Sequence, residues 1–357
     1  MKINFLYLFL CLYFVFSCTS ESPVEDNPAP TESIYFPPLN SDIWDTETME
    51  SLGWNTLQLQ PLLEFLDEKN TKSFIILHDG KIVIEAYMND HDATKLWYWA
   101  SAGKTLTTAI SGIAQNEGII NINNKVSEYL GEGWTSTSLE KESLITCKHL
   151  LSMNSGLDDS LGDDVSKENL QYKADAGTRW AYHNVYKKMQ DVITTANNTT
   201  WSSYFNEKLK SKIGMNGAWV PSNNFNVYWS NTRSMARFGL MMYAKGKWNA
   251  TQIVPEAFLN NATNASQNIN KSYGYLWWLN GKSDFYLPAS QLKFGGPLIP
   301  NAPNDTYAAL GKNDQKIYVV PSKKLVIVRM GDKANTDALA LSNFDNELWD
   351  KINALIN

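Results

Sequence analysis

A serine and a lysine three residues apart, Ser101 and Lys104, are the residues of this chain whose types and spacing could do chemistry. They lie in the segment Trp-Ala-Ser-Ala-Gly-Lys, at the predicted start of an apolar helix. On a helix, positions i and i+3 share a face, with Cβ atoms roughly 5–6 Å apart. A desolvated lysine amine can remove the proton of a serine hydroxyl and so make it a nucleophile. The pair therefore indicates acyl transfer through a covalent serine intermediate.

The Ser-x-x-Lys spacing is weak evidence by itself, because it recurs at Ser138–Lys141 and Ser290–Lys293. Only Ser101 follows an aromatic run, Trp97 to Trp99, and precedes a sustained apolar helical face. The structural alternative is a helix cap beside a solvated lysine.

Two other motifs are excluded around the same serine. A phosphate-binding loop that ends in Gly103-Lys104-Thr105 would need a glycine at position 98, which is tyrosine here. A Gly-x-Ser-x-Gly nucleophile elbow would need a glycine at position 99, which is tryptophan.

A second candidate is the pair Tyr182 and Asn184, in a turn-rich segment of the kind that commonly displays functional groups. The same Tyr-x-Asn pattern at Tyr87 and Tyr204 falls within predicted regular structure and is interpreted as structural. An ammonium near a phenol favours the phenolate, so we expect Tyr182 and Lys104 to share one proton.

A third candidate is Ala309-Leu310-Gly311-Lys312 at the end of a predicted strand. A glycine there would let an acyl group approach the strand edge. The backbone N–H of Lys312 could then stabilise an oxyanion together with that of Ser101. An ordinary turn at the end of a strand is the alternative.

In this order, the three segments resemble the catalytic elements of the serine β-lactamase and penicillin-binding-protein superfamily, in particular its class C-like esterase branch. The resemblance extends over about residues 75–331. Further similar stretches are Ile145–Leu157, Ser234–Leu240 and Tyr273–Trp278.

The resemblance implies a mixed α/β domain, with an antiparallel sheet flanked by helices, packed on an all-helical domain with the site between them. It implies that Ser101 is the nucleophile, and that Lys104 and Tyr182 act as general base and proton donor. It also implies that Asn184 binds substrate or holds Lys104. No metal or other cofactor is implied.

Two departures bear on the substrate. Many relatives have a lysine or histidine where this chain has Ala309, and in lactamases that cation helps to hold the substrate carboxylate. Lys312 could supply a charge from a neighbouring position. Relatives often have glycine where this chain has Asp314, so we expect a carboxylate near the cleft. Both departures favour an ester or amide that lacks an obligatory carboxylate.

The first residues read as a secretory signal, with a charged start followed by an apolar run from Ile3 to Phe16. That run would span about 21 Å as a helix, which is short of a bilayer core of roughly 30 Å. Val-Phe-Ser-Cys18 resembles a bacterial lipobox, so we expect lipidation of Cys18 after cleavage. Plain secretion is the alternative if Cys18 is not lipidated.

Composition limits the possible partners and cofactors. The net charge of −6 without a basic run argues against nucleic acid. The three cysteines provide no disulfide framework, because Cys11 would leave with the signal, Cys18 would carry lipid and Cys147 has no partner. The four histidines show no metal-ligand spacing with cysteine.

The pattern along the chain predicts an α/β body interrupted by a helical insertion. A hairpin around Asp79-Gly80 and three consecutive strands between Thr306 and Arg329 supply the sheet, and a helix closes the chain from Ala338 to Ile356. We predict a signal peptide over 1–17, a tether over 18–42 and a hydrolase domain over 43–357. Within that domain the sheet lobe would comprise about 43–118 and 272–357, and the helical lobe about 119–271.

The sequence therefore predicts a cell-envelope serine hydrolase of carboxylic esters or small amides, anchored by lipid in the outer membrane or periplasm of a Gram-negative bacterium. A β-lactamase or D,D-peptidase acting on cell-wall peptides is the enzymatic alternative. A non-catalytic surface lipoprotein that binds ligand is the alternative from another class.

Overall fold

Six antiparallel strands form the central sheet of this chain, whose computed structural model describes residues 34–335 and 343–357. The described chain from Ile34 onward forms one compact unit. The strands are β1 (Thr71–His78), β2 (Lys81–Tyr87), β3 (Trp97–Tyr98), β4 (Ala218–Ser222), β5 (Phe225–Ser230), β6 (Lys247–Trp248), β7 (Thr251–Gln252), β8 (Trp278–Leu279), β9 (Asp284–Tyr286), β10 (Lys293–Gly295), β11 (Tyr307–Gly311), β12 (Gln315–Val320) and β13 (Leu325–Gly331). The central sheet has the order β2-β1-β13-β12-β11-β8. The predicted antiparallel α/β class is confirmed.

The sheet forms where the sequence predicts it. β1 and β2 are joined at Asp79-Gly80, both of which have positive φ, as a tight hairpin turn requires. β12 and β13 are buried along their whole length and form the centre of the core with β1.

Ten α-helices surround and extend this sheet in the described part of the chain. They are α1 (Leu59–Glu68), α2 (Lys104–Asn116), α3 (Ser127–Leu130), α4 (Leu139–Glu142), α5 (Cys147–Leu151), α6 (Tyr186–Asn197), α7 (Trp201–Phe205), α8 (Thr232–Tyr243), α9 (Glu256–Ala262) and α10 (Asn343–Ile356). The predicted closing helix is described only from Asn343, because residues 336–342 lie outside the described part.

Helices cover both faces of the sheet. Gly239 of α8 lies against Ile317 and Val326, where a Cβ atom would come within 2.5 Å of the Val326 side chain. Asp345 of α10 contacts Lys316 and Tyr318. Because neighbouring residues of a strand point to opposite faces, α8 and α10 pack on opposite sides of the sheet.

The helix that follows Ser101 is buried on every side. Its residues from Lys104 to Ala114 are all buried, and α2 packs against α6 and α9. The sequence predicts one helix from Ser101 to Glu117, whereas the structure begins with a 3-10 turn over Ala100–Gly103 and continues as α2. Ser101 therefore lies in the 3-10 turn, and Lys104 is the first residue of the α-helix.

A second sheet of three strands, in the order β3-β5-β4, lies beside this turn. β4 and β5 fall within the region from Ile119 to Lys271, where strand signals in the sequence are scarce. They are short, and their alternation of inward and outward residues becomes visible only once the strands are paired.

The compact body begins at Ile34, nine residues before the domain start that the sequence predicts at residue 43. The backbone N–H of Tyr35 donates to the carbonyl of Asp79, and the guanidinium of Arg237 donates to the carbonyls of Pro37 and Pro38. Residues 34–42, which the sequence assigns to the tether, therefore pack against the body.

The predicted signal (1–17) and Cys18 lie outside the described residues. Among the helices that the structure describes, none has both the length and the apolar character needed to cross a bilayer.

Candidate active site

The amine of Lys104 and the hydroxyl of Ser101 meet at the start of α2. Lys104 Nζ donates a hydrogen bond to Ser101 Oγ at 2.7 Å. Lys104 is only 3% exposed, so its amine is held away from bulk water. The structure thus excludes the alternative of a helix cap with a solvated lysine.

Burial also changes the protonation of this amine. It lowers the pKa of Lys104 from 10.5 to about 7, and the negative charge of Asp163 partly opposes that effect. The neutral amine is therefore accessible near neutral pH, and it is the form that can accept the serine proton.

Tyr182 lies on the other side of the amine. Lys104 Nζ is 4.9 Å from the centroid of the Tyr182 ring and 4.9 Å from that of Tyr186. The Tyr182 hydroxyl interacts with Ser101. The structure therefore brings Ser101, Lys104 and Tyr182 together from the 3-10 turn, from α2 and from the segment that precedes α6.

The structure does not favour the phenolate form of Tyr182 that a neighbouring ammonium would stabilise, and on which the expected sharing of one proton with Lys104 depends. Burial raises the pKa of Tyr182, and its hydrogen bond with Ser101 lowers it only in part. The expectation assumed a charged ammonium nearby, whereas burial disfavours both the ammonium and the phenolate. The neutral phenol, which carries a proton, is consequently the favoured form of Tyr182 in the resting site.

Aromatic rings hold the Tyr182 ring in place. Its ring stacks on Trp278 at a centroid distance of 5.6 Å and meets the edge of Tyr273 at 6.2 Å. Trp180 packs against all three of these rings. Such packing limits the rotation of the phenol and directs its hydroxyl towards Ser101.

Asn184 lines the same cleft, but its side chain bonds to a residue other than Lys104. Its Nδ2 donates to the backbone carbonyl and to the carboxylate of Asp163, at 3.0 and 3.1 Å. Asn184 thereby positions Asp163, which is the residue whose charge acts on Lys104. Sequence reasoning missed Asp163, because it lies in a polar loop with no motif of its own.

The end of β11 closes the site from the side of the sheet. A Cβ atom at Gly311 would lie 2.5 Å from the carbonyl oxygen of Trp99 and 2.9 Å from the backbone nitrogen of Ala102. Only glycine allows this approach, which places the strand end directly against the turn that carries Ser101. The next residue, Lys312, is exposed and lines the cleft.

Asp314 does not place a carboxylate in the cleft, contrary to the expectation. It is fully buried, and its carboxylate forms an ion pair with Lys316 Nζ at 3.1 Å and accepts from the N–H of Ala334. Left-handed backbone at Asn313 and Asp314 turns the side chain away. The acidic residue of the cleft is Asp163 instead.

The other copies of the two motifs lie elsewhere. Ser138 caps α4 by accepting from the N–H of Lys141, and Ser290 lies in the connection between β9 and β10. The phenols of Tyr87 and Tyr204 donate to carboxylates, those of Glu85 and Glu117. These contacts agree with structural roles.

The cleft that contains Ser101, Lys104, Asn184 and Lys312 has a volume of about 450 Å³. This is within the usual range for sites that hold a small molecule, roughly 300–1,000 Å³. No group of three or more histidine, cysteine, aspartate or glutamate residues suited to a metal ion occurs within 34–335 and 343–357.

Comparison with known protein families gives a match over most of the chain. Residues 68–348 match the family described as Beta-lactamase. No curated protein matches this sequence.

Solved structures share the fold at low sequence identity. A protein from Bacillus anthracis titled "Putative 6-aminohexanoate-dimer hydrolase" is 19% identical, with a TM-score of 0.67, over 90% of this chain and 88% of that one. A β-lactamase from Mycobacterium bovis is 17% identical, with a TM-score of 0.60, over 82% and 98%. The hydrolase EstCE1, described as having promiscuous acyltransferase activity, is 11% identical, with a TM-score of 0.63, over 85% and 99%. At these identities the similarity establishes the fold.

Proposed function

Since this chain belongs to the Beta-lactamase family, we propose that it hydrolyses carboxylic esters or small amides through an acyl-serine intermediate. The observation that supports this most directly is the buried amine of Lys104, 2.7 Å from the hydroxyl of Ser101. A neutral amine at this distance is a competent general base.

The first step forms the acyl-enzyme. Lys104 accepts the proton of Ser101 as Oγ attacks the carbonyl carbon, and the carbonyl electrons move to oxygen. When the tetrahedral intermediate collapses, Tyr182 gives its proton to the leaving alkoxide or amine, and Lys104 returns the serine proton to Tyr182. The ester or amide bond is broken, and the acyl group remains on Ser101.

The second step releases the acid. Lys104, whose amine is neutral again, takes a proton from water as the water oxygen attacks the acyl carbon. Tyr182 then gives its proton to Ser101 Oγ as the bond between Oγ and the acyl carbon breaks, and Lys104 returns the water proton to Tyr182. In both steps the backbone N–H groups of Ser101 and Lys312 would stabilise the negative oxygen, because β11 ends against the Ser101 turn.

The test is the variant Ser101→Ala. Its hydrolysis of p-nitrophenyl butyrate should fall at least about 10³-fold, because removal of a nucleophile abolishes the covalent route. Labelling by a serine-directed phosphonate should be lost at the same time. Ser138→Ala and Ser290→Ala are the matched controls, since both serines begin the same Ser-x-x-Lys pattern outside the cleft. Undiminished labelling of Ser101→Ala would refute the assignment.

A β-lactamase or D,D-peptidase is the second candidate, and exposed Lys312 is the observation in its favour. The chain has Ala309 where many relatives carry a cation, but Lys312 presents an ammonium-bearing side chain in the cleft. Turnover of nitrocefin, or stable labelling by a fluorescent penicillin, would favour this candidate over the esterase. Tight ligand binding without any turnover would instead support a non-catalytic binding protein.

We further propose that the protein is held in the cell envelope by lipid on Cys18. The support is the lipobox-like segment that ends at this residue. Metabolic labelling with palmitate should mark the wild type and not Cys18→Ala, which should appear in the soluble fraction. Equal labelling of both proteins would contradict the anchor.

A further inference from the structure

One face of the three-stranded sheet opens into the cleft. Phe225, Val227 and Trp229 of β5 alternate along the strand and all line it. Tyr228, which lies between them, points the opposite way and is fully buried against Trp99. The strand thus separates a core face from a face that substrate can reach.

The neighbouring strands extend this open face. Val220 of β4 pairs with Val227, and Tyr98 of β3 pairs with Trp229. Val220 and Tyr98 also line the cleft, and Val220 is 44% exposed. We call these five side chains, Tyr98, Val220, Phe225, Val227 and Trp229, the apolar wall.

The apolar wall is continuous with the nucleophile. β3 leads directly into the 3-10 turn, so Tyr98 precedes Ser101 by three residues. The Tyr98 hydroxyl accepts a hydrogen bond from Asn313 Nδ2 at 2.7 Å, and its ring packs against Trp229 at 5.5 Å. From Trp229 to Phe225 the wall extends about 13 Å along β5, at roughly 3.3 Å per residue.

Charge is segregated within the cleft. Asp163 lies on a loop and Lys312 follows β11, both outside the three-stranded sheet. Of the described residues that line the cleft, those contributed by this sheet carry no charge. An ionic group would lose hydration against the wall without gaining an oppositely charged partner there, whereas an apolar chain would gain from contact with it.

We propose that the apolar wall binds the acyl chain of the substrate, so that the preferred substrates are esters or amides of medium-length apolar carboxylic acids. This inference rests on the proposed function. The acyl group, unlike the alcohol or amine, stays attached to Ser101 until deacylation. A surface continuous with Ser101 can therefore hold it through both steps.

The experiment measures kcat/KM for p-nitrophenyl esters from acetate to decanoate, with wild type and Ser101→Ala. The Ser101-dependent kcat/KM should rise about fourfold per methylene up to roughly octanoate, which corresponds to about 0.8 kcal/mol for each buried methylene. A series of alkyl acetates, lengthened on the alcohol side, should show no comparable rise.

Two variants identify the wall as the source of this preference. Val227→Thr replaces a methyl by a hydroxyl of similar size and should lower the ratio of octanoate to acetate kcat/KM about three- to tenfold. Val220→Thr should act in the same direction, and its exposed position keeps the test valid if Val227→Thr fails to fold. Ile43→Thr makes the same kind of change at a residue that is 75% exposed and outside the cleft, and should leave the ratio unchanged.

The outcomes separate this inference from the proposed function. Ser101-dependent hydrolysis with a flat acyl profile, or with a rise only on the alcohol side, would overturn the inference and leave the function standing. Hydrolysis that survives in Ser101→Ala would refute the function itself. If no ester is turned over, the rates at which methyl- and octylphosphonates label Ser101 provide the test. Faster labelling by the octylphosphonate would support the inference, and equal rates would overturn it.

Discussion

At the scale of single residues, the site depends on the protonation of Lys104. Its folded pKa of about 7 is below the ordinary value of 10.5, so the unfolded chain binds more protons between these pH values. The free energy of unfolding therefore rises with pH across this window, and the cost of burying the amine is fully present below pH 7. Burial of Lys104 therefore lowers the stability of the folded protein and at the same time provides a neutral amine that can act as a base.

The first prediction concerns the pH dependence of activity. The kcat/KM for an uncharged ester should rise with pH along a limb with an apparent pKa of about 7, because the protonated amine cannot accept the serine proton. Steady-state kinetics between pH 5 and 9 would measure it. A limb centred above about pH 9 would show that Lys104 keeps the pKa of a solvated lysine.

The second prediction concerns Asp163. Its charge raises the pKa of Lys104, so Asp163→Asn should move the acid limb of kcat/KM to lower pH while it keeps an oxygen acceptor for Asn184. Asp164→Asn is the control, because the Asp164 carboxylate accepts from Ser166 and Asn224 instead. Equal shifts of the acid limb in the two variants would show that the charge of Asp163 has no specific effect on the pKa of Lys104.

At the scale of elements, the site exists because β11 approaches the Ser101 turn without an intervening side chain. The third prediction is that Gly311→Ala lowers kcat/KM about 10²-fold or more, because a methyl group would collide with the backbone of Trp99 and Ala102 and displace the nucleophile. Far-UV circular dichroism should show that the variant remains folded.

Gly295→Ala is the matched control for this change. Gly295 ends β10, and a Cβ atom there would meet nothing within 4 Å. Its kcat/KM should equal that of wild type. If both variants were equally active, the close approach of β11 would have no part in catalysis.

A buried group of charges joins α10 to the sheet behind the site. The carboxylate of Asp345 accepts from Lys316 Nζ at 2.8 Å and from the hydroxyl of Tyr318 at 2.5 Å, and all three residues are buried. The fourth prediction is that Asp345→Ala lowers the free energy of unfolding by about 2–4 kcal/mol, because it removes the acceptor of the buried Tyr318 hydroxyl and one of the two carboxylates that pair with buried Lys316.

Urea denaturation would measure this loss. Asp350→Ala, on the exposed side of the same helix, should change the free energy of unfolding by less than about 0.5 kcal/mol. A loss for Asp345→Ala as small as that of the control would mean that the cluster contributes little to the docking of α10.

At the scale of the whole molecule, the segment that precedes the first helix belongs to the body. Arg237 is 6% exposed and donates to the carbonyls of Pro37, Pro38 and Ile213, while the Trp44 indole donates to the carbonyl of Gly80. Residues 34–44 thus supply hydrogen-bond acceptors to the buried guanidinium of Arg237 and cover the hairpin turn at Asp79-Gly80.

The fifth prediction compares chains that begin at Ile34 and at Ile43. The shorter chain should lose about 2–4 kcal/mol of unfolding free energy, because the buried guanidinium of Arg237 would lack two of its acceptors. Thermal and urea denaturation of the two proteins would measure the difference. Equal stabilities would show that residues 34–42 contribute little to the stability of the body.

The sequence by itself determined the features that depend on neighbours along the chain. The hairpin at Asp79-Gly80, the helix after Ser101 and the strands between Thr306 and Arg329 follow from local periodicity and turn residues. The Ser101–Lys104 contact is of the same kind, because a helical turn places residues three apart on one face.

Only the tertiary structure decided the features that depend on distant segments. The depressed pKa of Lys104 requires the burial supplied by other elements, and the direction of Asp314 depends on the turn that carries it into the core. The effect of Asp163 on the pKa of Lys104 also depends on how distant segments pack together, and so does the choice of which side of β5 faces the cleft. Solvation and electrostatic fields are set by atoms in space, and spacing along the chain does not specify them.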